Sequence, residues 1–225
     1  MGELIDATAK VDRIADHVRT SYQNGIARTG EIADATKARL EAPILAIEKQ
    51  ELLLKDAEKT ASVSWVLVKA ADGPADLTIG SVRDEMWNAM GRPHKCTPLE
   101  EVFPDGIGTY TEADPMDQPL LMEVLMARII GASAPQWTEA KRIAWAATID
   151  AVRVPYADAV TKHRPIAAAQ VVAEAGYKAA VKAGHTGMRC LKRDLKSLGL
   201  TEAQIHEIIP DAGKPRSKET TKKEG

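Results

Sequence analysis

Two distant stretches of the sequence carry the same signals for the end of one helix and the start of another. They run from Met90 to Asp105 and from Leu198 to Asp211. In each, a glycine suited to a left-handed helix cap precedes a Thr, and a Glu or Gln three residues after the Thr completes a capping box. Each stretch then ends in Pro-Asp, where the proline cannot continue the helix. The pattern predicts an internal duplication, although two unrelated helix ends with common capping residues would give the same signals.

Length and composition favour an all-α protein with two helical halves. A chain of 225 residues can bury one large core or two small ones, and the duplication favours two. Aromatic residues are only 4% of the sequence, and Phe103 is the single phenylalanine, a balance that suits helices packed closely through small side chains. We therefore expect related helical bundles at 1–108 and 118–213, joined by a Pro-, Gly- and Asp-containing linker at 109–117.

The C-terminal segment 214–225 consists of charged and small residues that cannot bury enough surface to order themselves, so we expect a disordered tail.

Apolar periodicity predicts helices that are interrupted wherever glycine or proline occurs. Pro43 is expected to kink the second helix, Asp72-Gly73-Pro74 to end it, and Pro155 and Pro165 to break a later one. Gly184 and Gly187 are predicted to bracket a turn. The resulting helices are 3–24, 31–59 with an extension to 71, 77–90, 120–130, 138–152, 166–183, 188–198 and a short helix from Thr201.

Several apolar segments are wider than one buried helix face requires. Leu52, Leu53 and Leu54 form a consecutive triplet, and the segment 120–130, with Leu120, Leu121 and Leu125, is apolar on nearly all sides. A stripe of Ala167, Val171, Ala175 and Ala179 is predicted to allow close helix approach. These features predict a non-catalytic structural or interaction protein that associates with itself, as a homo-oligomer or a larger assembly, or with another protein.

The segment 188–209 supports a second reading, a nucleic-acid-associated module. Leu195-Lys196-Ser197-Leu198-Gly199-Leu200-Thr201 resembles the centre of a helix-turn-helix, which would place the following helix in the major groove. The residues that would contact phosphates are Arg189, Lys192, Arg193 and Lys196. The sequence departs from the motif because Pro210 cuts the second helix short and because Glu202 and Glu207 would repel phosphate. The formal net charge of −2 also disfavours a protein built chiefly to coat nucleic acid.

Patterns typical of catalysis or metal binding are missing from the sequence. There is no Glu-x-x-His pair for a ferritin-like metal site and no G-x-S-x-G nucleophile motif. His94 and Cys96 would supply only two of about four zinc ligands. We therefore predict no cofactor, no metal and no enzymatic activity, with a site assembled from scattered residues as the third reading.

Localisation is predicted to be cytoplasmic. The N-terminus lacks the features of a signal peptide, the apolar runs are too short to span a bilayer, and two isolated cysteines suit a reducing compartment.

Overall fold

The computed structural model describes residues 4–211, and all of the regular structure in that range is α-helical. The seven helices are α1 (Val11–Ile26), α2 (Glu31–Ala89), α3 (Thr97–Val102), α4 (Gly108–Thr111), α5 (Gln118–Gly131), α6 (Glu139–Ser197) and α7 (Glu202–Ile208). The all-α prediction is confirmed. The predicted tail 214–225 lies outside the described residues.

Contacts cluster into two compact units, and each unit has its own apolar core. Unit 1 contains residues 4–56 and 171–211, and unit 2 contains Ala57–Gln170. The core of unit 1 includes Ile14, Val18, Leu40, Ile47, Met188, Leu191, Leu195 and Ile205. The core of unit 2 includes Val68, Ile79, Met86, Met122, Leu125, Ile129, Trp137 and Tyr156.

These units differ from the predicted halves 1–108 and 118–213, because α2 and α6 each supply one part to unit 1 and another to unit 2. The predicted linker 109–117 is not confirmed either. It lies within unit 2, where Tyr110 is buried in the core against Phe103.

The two long helices, 59 residues each, pass through the residues predicted to interrupt them. Asp72-Gly73-Pro74 lies inside α2, and Pro155 and Pro165 lie inside α6. A proline removes one backbone hydrogen bond, but the buried face continues on both sides of it, as Val68 and Ile79 show around Pro74. Packing of that face outweighs the local cost, so the predicted breaks are wrong.

Gly184 and Gly187 form no turn; they lie inside α6 and allow other residues of unit 1 to approach closely. A Cβ atom at Gly187 would lie 2.6 Å from the carbonyl oxygen of Arg39, and one at Gly184 would lie 3.0 Å from Val18. The predicted stripe of Ala167, Val171, Ala175 and Ala179 takes no part in this approach, since Val171, Ala175 and Ala179 are exposed. Its role in contact with another helix stays a prediction.

The helix ends confirm part of the repeated pattern. Gly91 and Gly199 have φ angles of 78° and 80°, and the residue after each donates to a carbonyl five residues back, as in a Schellman cap. Thr201 and Gln204 form the predicted capping box. Thr97 does not, because it is already the first residue of α3 and Cys96 precedes it without a side-chain cap. The duplication itself stays a prediction.

Another prediction fails at the N-terminus: α1 begins at Val11 rather than near residue 3. Before it, Asp6 accepts a hydrogen bond from the Thr8 amide, and Ile5 is buried in the core of unit 1.

Candidate functional site

The outward face of α5 carries an uninterrupted apolar stripe. Leu120 is 65% exposed and Val124 41% exposed, and Ala127 and Gly131 continue the same helical row. The opposite side of the helix is buried through Met122, Leu125 and Ile129. This apolar row of about three turns faces away from the core of unit 2. We call Leu120, Val124, Ala127 and Gly131 the α5 stripe.

The exposed face of helix α1 differs in character from that of α5. The same number of residues separates Gly91 from Gly199, Asp12 from Leu120, and Asp16 from Val124. Helix α1 exposes Asp12 and Asp16 where α5 exposes leucine and valine, although both helices bury the opposite side. Helix α1 therefore has the ordinary amphipathic pattern, whereas α5 is apolar on its outward face as well.

The residues predicted for self-association lie in different environments, some exposed and some buried. Leu52 and Leu53 are exposed on the part of α2 in unit 1, at 69% and 48%. Leu54 and Leu121 are partly buried against the two cores. Leu125 is fully buried in unit 2, so its assignment to an association surface is wrong. The signal that separates Leu125 from Leu120 is the position of Glu123 and Arg128, which both lie on the exposed side of α5.

Other exposed apolar residues lie on the part of α2 in unit 2. They are Val63, Val66, Leu67 and Leu77. Lys69 lies beside this row, 5.7 Å from the centre of the Trp65 ring, and Pro74 stands between Leu67 and Leu77. A lysine beside this row and a proline within it distinguish it from the α5 stripe, although its members are more exposed than Val124.

Charged residues border the α5 stripe on both sides. Glu123 forms an ion pair of 2.6 Å with Arg153, which also contacts Asp150. Arg128, on the other side, donates a hydrogen bond of 2.8 Å to the Tyr110 hydroxyl. Each contact uses one atom of Glu123 or Arg128, and the side chains of these two residues remain exposed to solvent.

The helix-turn-helix-like segment has the predicted succession of helix, turn and capped helix, but its charges face each other. Lys196 lies 2.5 Å from the Glu202 carboxylate, and Lys192 lies 3.6 Å from it. The hydrogen bond from Lys196 lowers the pKa of Glu202, against a smaller opposing effect of burial. Arg189 and Arg193 are exposed. Two of the four candidate nucleic-acid contacts thus face a carboxylate at the start of α7.

A buried Ser64–His163 pair in unit 2 was not predicted from the sequence. The Ser64 hydroxyl lies 2.7 Å from Nδ1 of His163, and both residues are over nine-tenths buried. The Ser64 hydroxyl also lies 2.9 Å from the Ala61 carbonyl, to which it can donate. Which group receives its single hydrogen depends on the tautomer of His163. His163 lies between two predicted helices, so the pair could be recognised only once α6 is known to continue through Pro155 and Pro165.

The described residues offer neither a metal-binding cluster nor a membrane-spanning helix. Within residues 4–211, no group of three or more His, Cys, Asp or Glu side chains is arranged to hold a metal ion. In the same range, no helix is both long and apolar enough to cross a membrane.

The fold and surface define an all-α protein whose helix α5 exposes an apolar face. No protein-family model, curated protein or solved structure matches the sequence.

Proposed function

We propose that this chain is a non-catalytic interaction protein that associates with copies of itself through the α5 stripe. The observation that carries the proposal is the exposure of Leu120 and Val124 on the outward face of α5, whereas the exposed face of α1 carries Asp12 and Asp16. Contact of the leucine and valine side chains with water is unfavourable. A second copy that covers these side chains would remove that cost and so stabilise the complex.

The expected association is weak and depends on concentration. Helix α5 has 14 residues, and two such helices in contact bury less than the roughly 1,200–2,000 Å² typical of stable interfaces. We therefore expect a dimer that dissociates on dilution, unless neighbouring parts of unit 2 add to the contact.

The test compares two leucine variants of nearly equal exposure. Leu120→Glu places a charge in the α5 stripe, whereas Leu52→Glu places the same charge on the other predicted surface, where the leucine is 69% exposed. Sedimentation velocity over a hundredfold concentration range should show that Leu120→Glu weakens association at least tenfold while Leu52→Glu does not. Circular dichroism should show unchanged helicity for both variants.

Other outcomes would redirect the assignment. Loss of the oligomer in Leu67→Glu but not in Leu120→Glu would move the interface to the apolar row of α2 in unit 2. A monomer that copurifies with nucleic acid, and loses it when Arg189 and Arg193 are neutralised, would favour the nucleic-acid reading.

A further inference from the structure

We infer that two copies of the chain pack their α5 helices side by side, parallel and in register. This inference rests on the proposed self-association and specifies its geometry. The second copy is the occupant that the surface favours, because the residues on and beside the α5 stripe complement themselves under a two-fold axis along the helix.

The first argument is the spacing of the stripe. Leu120, Val124, Ala127 and Gly131 follow the alternating four- and three-residue steps of a coiled-coil seam, with Val124 at an a position and Leu120 at a d position. A β-branched residue at a with leucine at d is the combination that favours parallel two-stranded packing. Ala127 and Gly131 would let the C-terminal turns of the two helices approach more closely.

The second argument is charge. In this register Glu123 occupies a g position and Arg128 the e position five residues later, on opposite sides of the stripe. In a parallel pair, Glu123 of each copy faces Arg128 of the other, which gives two symmetric ion pairs. An antiparallel pair would instead place the Glu123 side of one helix against the Glu123 side of the other.

Existing contacts of these two residues are compatible with the arrangement. Arg153 contacts the Oε1 atom of Glu123, whose side chain is 51% exposed, and a carboxylate can accept a second cation at its other oxygen. Arg128 uses Nη1 to reach Tyr110, and a guanidinium has further donors for a carboxylate. The buried Met122 and Ile129 lie on the opposite side of α5, so the core of unit 2 faces away from the seam.

A charge-exchange cycle tests the parallel geometry. Glu123→Arg and Arg128→Glu should each weaken the dimer about fivefold, because each places like charges across the seam. The double variant should recover most of the wild-type affinity, since it restores opposite charges between the copies. The double variant does not restore the contacts to Arg153 and Tyr110 within one chain. A recovered dimer affinity therefore reports the contact between the two copies.

Cross-linking provides an independent readout in a Cys190→Ser background. Val124→Cys should form a disulfide-linked dimer, whereas Asp16→Cys, at the corresponding exposed position of α1, should not. A wild-type monomer at all concentrations would overturn both the proposed function and this inference. A dimer that Leu120→Glu dissociates, but whose double charge exchange shows no recovery and whose Val124→Cys variant does not cross-link, would overturn the parallel geometry alone.

Discussion

At the scale of single residues, the most informative positions are glycines that the structure uses for contact rather than for turns. The missing side chain of Gly187 admits the backbone of Arg39, where a Cβ would lie at 2.6 Å. Gly80, in α2, has no atom within 4 Å of the corresponding position. The same substitution should therefore have opposite effects at the two sites.

Gly187→Ala should lower the free energy of unfolding by about 1–3 kcal/mol, because the added methyl group forces the backbone of Arg39 away. Gly80→Ala should raise it by about 0.5–1 kcal/mol, because alanine loses less conformational freedom in a helix than glycine. Denaturant titration of both variants measures the difference. Equal destabilisation by the two substitutions would contradict the close approach at Gly187.

Protonation of a buried histidine should make unit 1 less stable in acid. His17 donates from Nε2 to the Pro210 carbonyl at 2.7 Å, and its Nδ1 lies 3.2 Å from the Met188 sulfur. Burial lowers the pKa of His17 from the 6.5 of a free imidazole, and the nearby positive groups His185 and Arg13 lower it further; the Pro210 carbonyl and Asp211 oppose the shift.

Because the folded pKa lies below 6.5, the unfolded chain binds the proton first as the pH falls. The free energy of unfolding should therefore decrease as the pH is lowered through 6.5, until the folded histidine is also protonated. Denaturant titrations between about pH 5 and 8 should show that the free energy of unfolding changes less steeply with pH in His17→Gln than in the wild type. His94→Gln, in an exposed position, is the control. A slope unchanged in His17→Gln would contradict this assignment.

At the scale of helices, the continuity of α2 through Asp72-Gly73-Pro74 is the largest departure from the sequence-based expectation. Pro74 is exposed inside the helix and lacks the amide that would complete the backbone ladder. Pro74→Ala should raise the free energy of unfolding by about 1–3 kcal/mol, since alanine restores that hydrogen bond. Hydrogen exchange should show stronger protection of the amides at 74–78. No stabilisation, with unprotected amides there, would indicate a helix break as the sequence predicted.

The sequence predicted which segments are helical better than where the helices end. The predicted bounds of α5 nearly coincide with the observed ones, and Gly199 and Thr201 act as expected, because local capping chemistry determines such ends. Pro74 and Gly187 were wrongly predicted to interrupt helices. Each lowers the stability of the helix locally, whereas the packing that offsets this effect comes from residues distant in sequence.

The candidate surface was predictable only in part. Leu120 and Leu125 were assigned to the same surface, although Leu120 is exposed and Leu125 buried, because the apolar run by itself does not distinguish the two faces of the helix. The positions of Glu123 and Arg128, both exposed, are the signal that does.

At the scale of the whole molecule, the order of elements is similar in the first and second parts of the chain. A short helix, a 59-residue helix and a shorter closing helix occur twice, as α1–α2–α3 and α5–α6–α7. Despite this similarity, the outer face of α1 is polar and that of α5 is apolar. The proposed function assigns that difference to contact with a second copy.

The most direct test is the mass of the purified wild-type chain by light scattering over a hundredfold concentration range, with absorbance at 260 and 280 nm recorded on the same peak. We expect a dimer, free of nucleic acid, that dissociates toward the 24.3 kDa monomer on dilution. A mass that stays at the monomer value at every concentration would contradict self-association through α5.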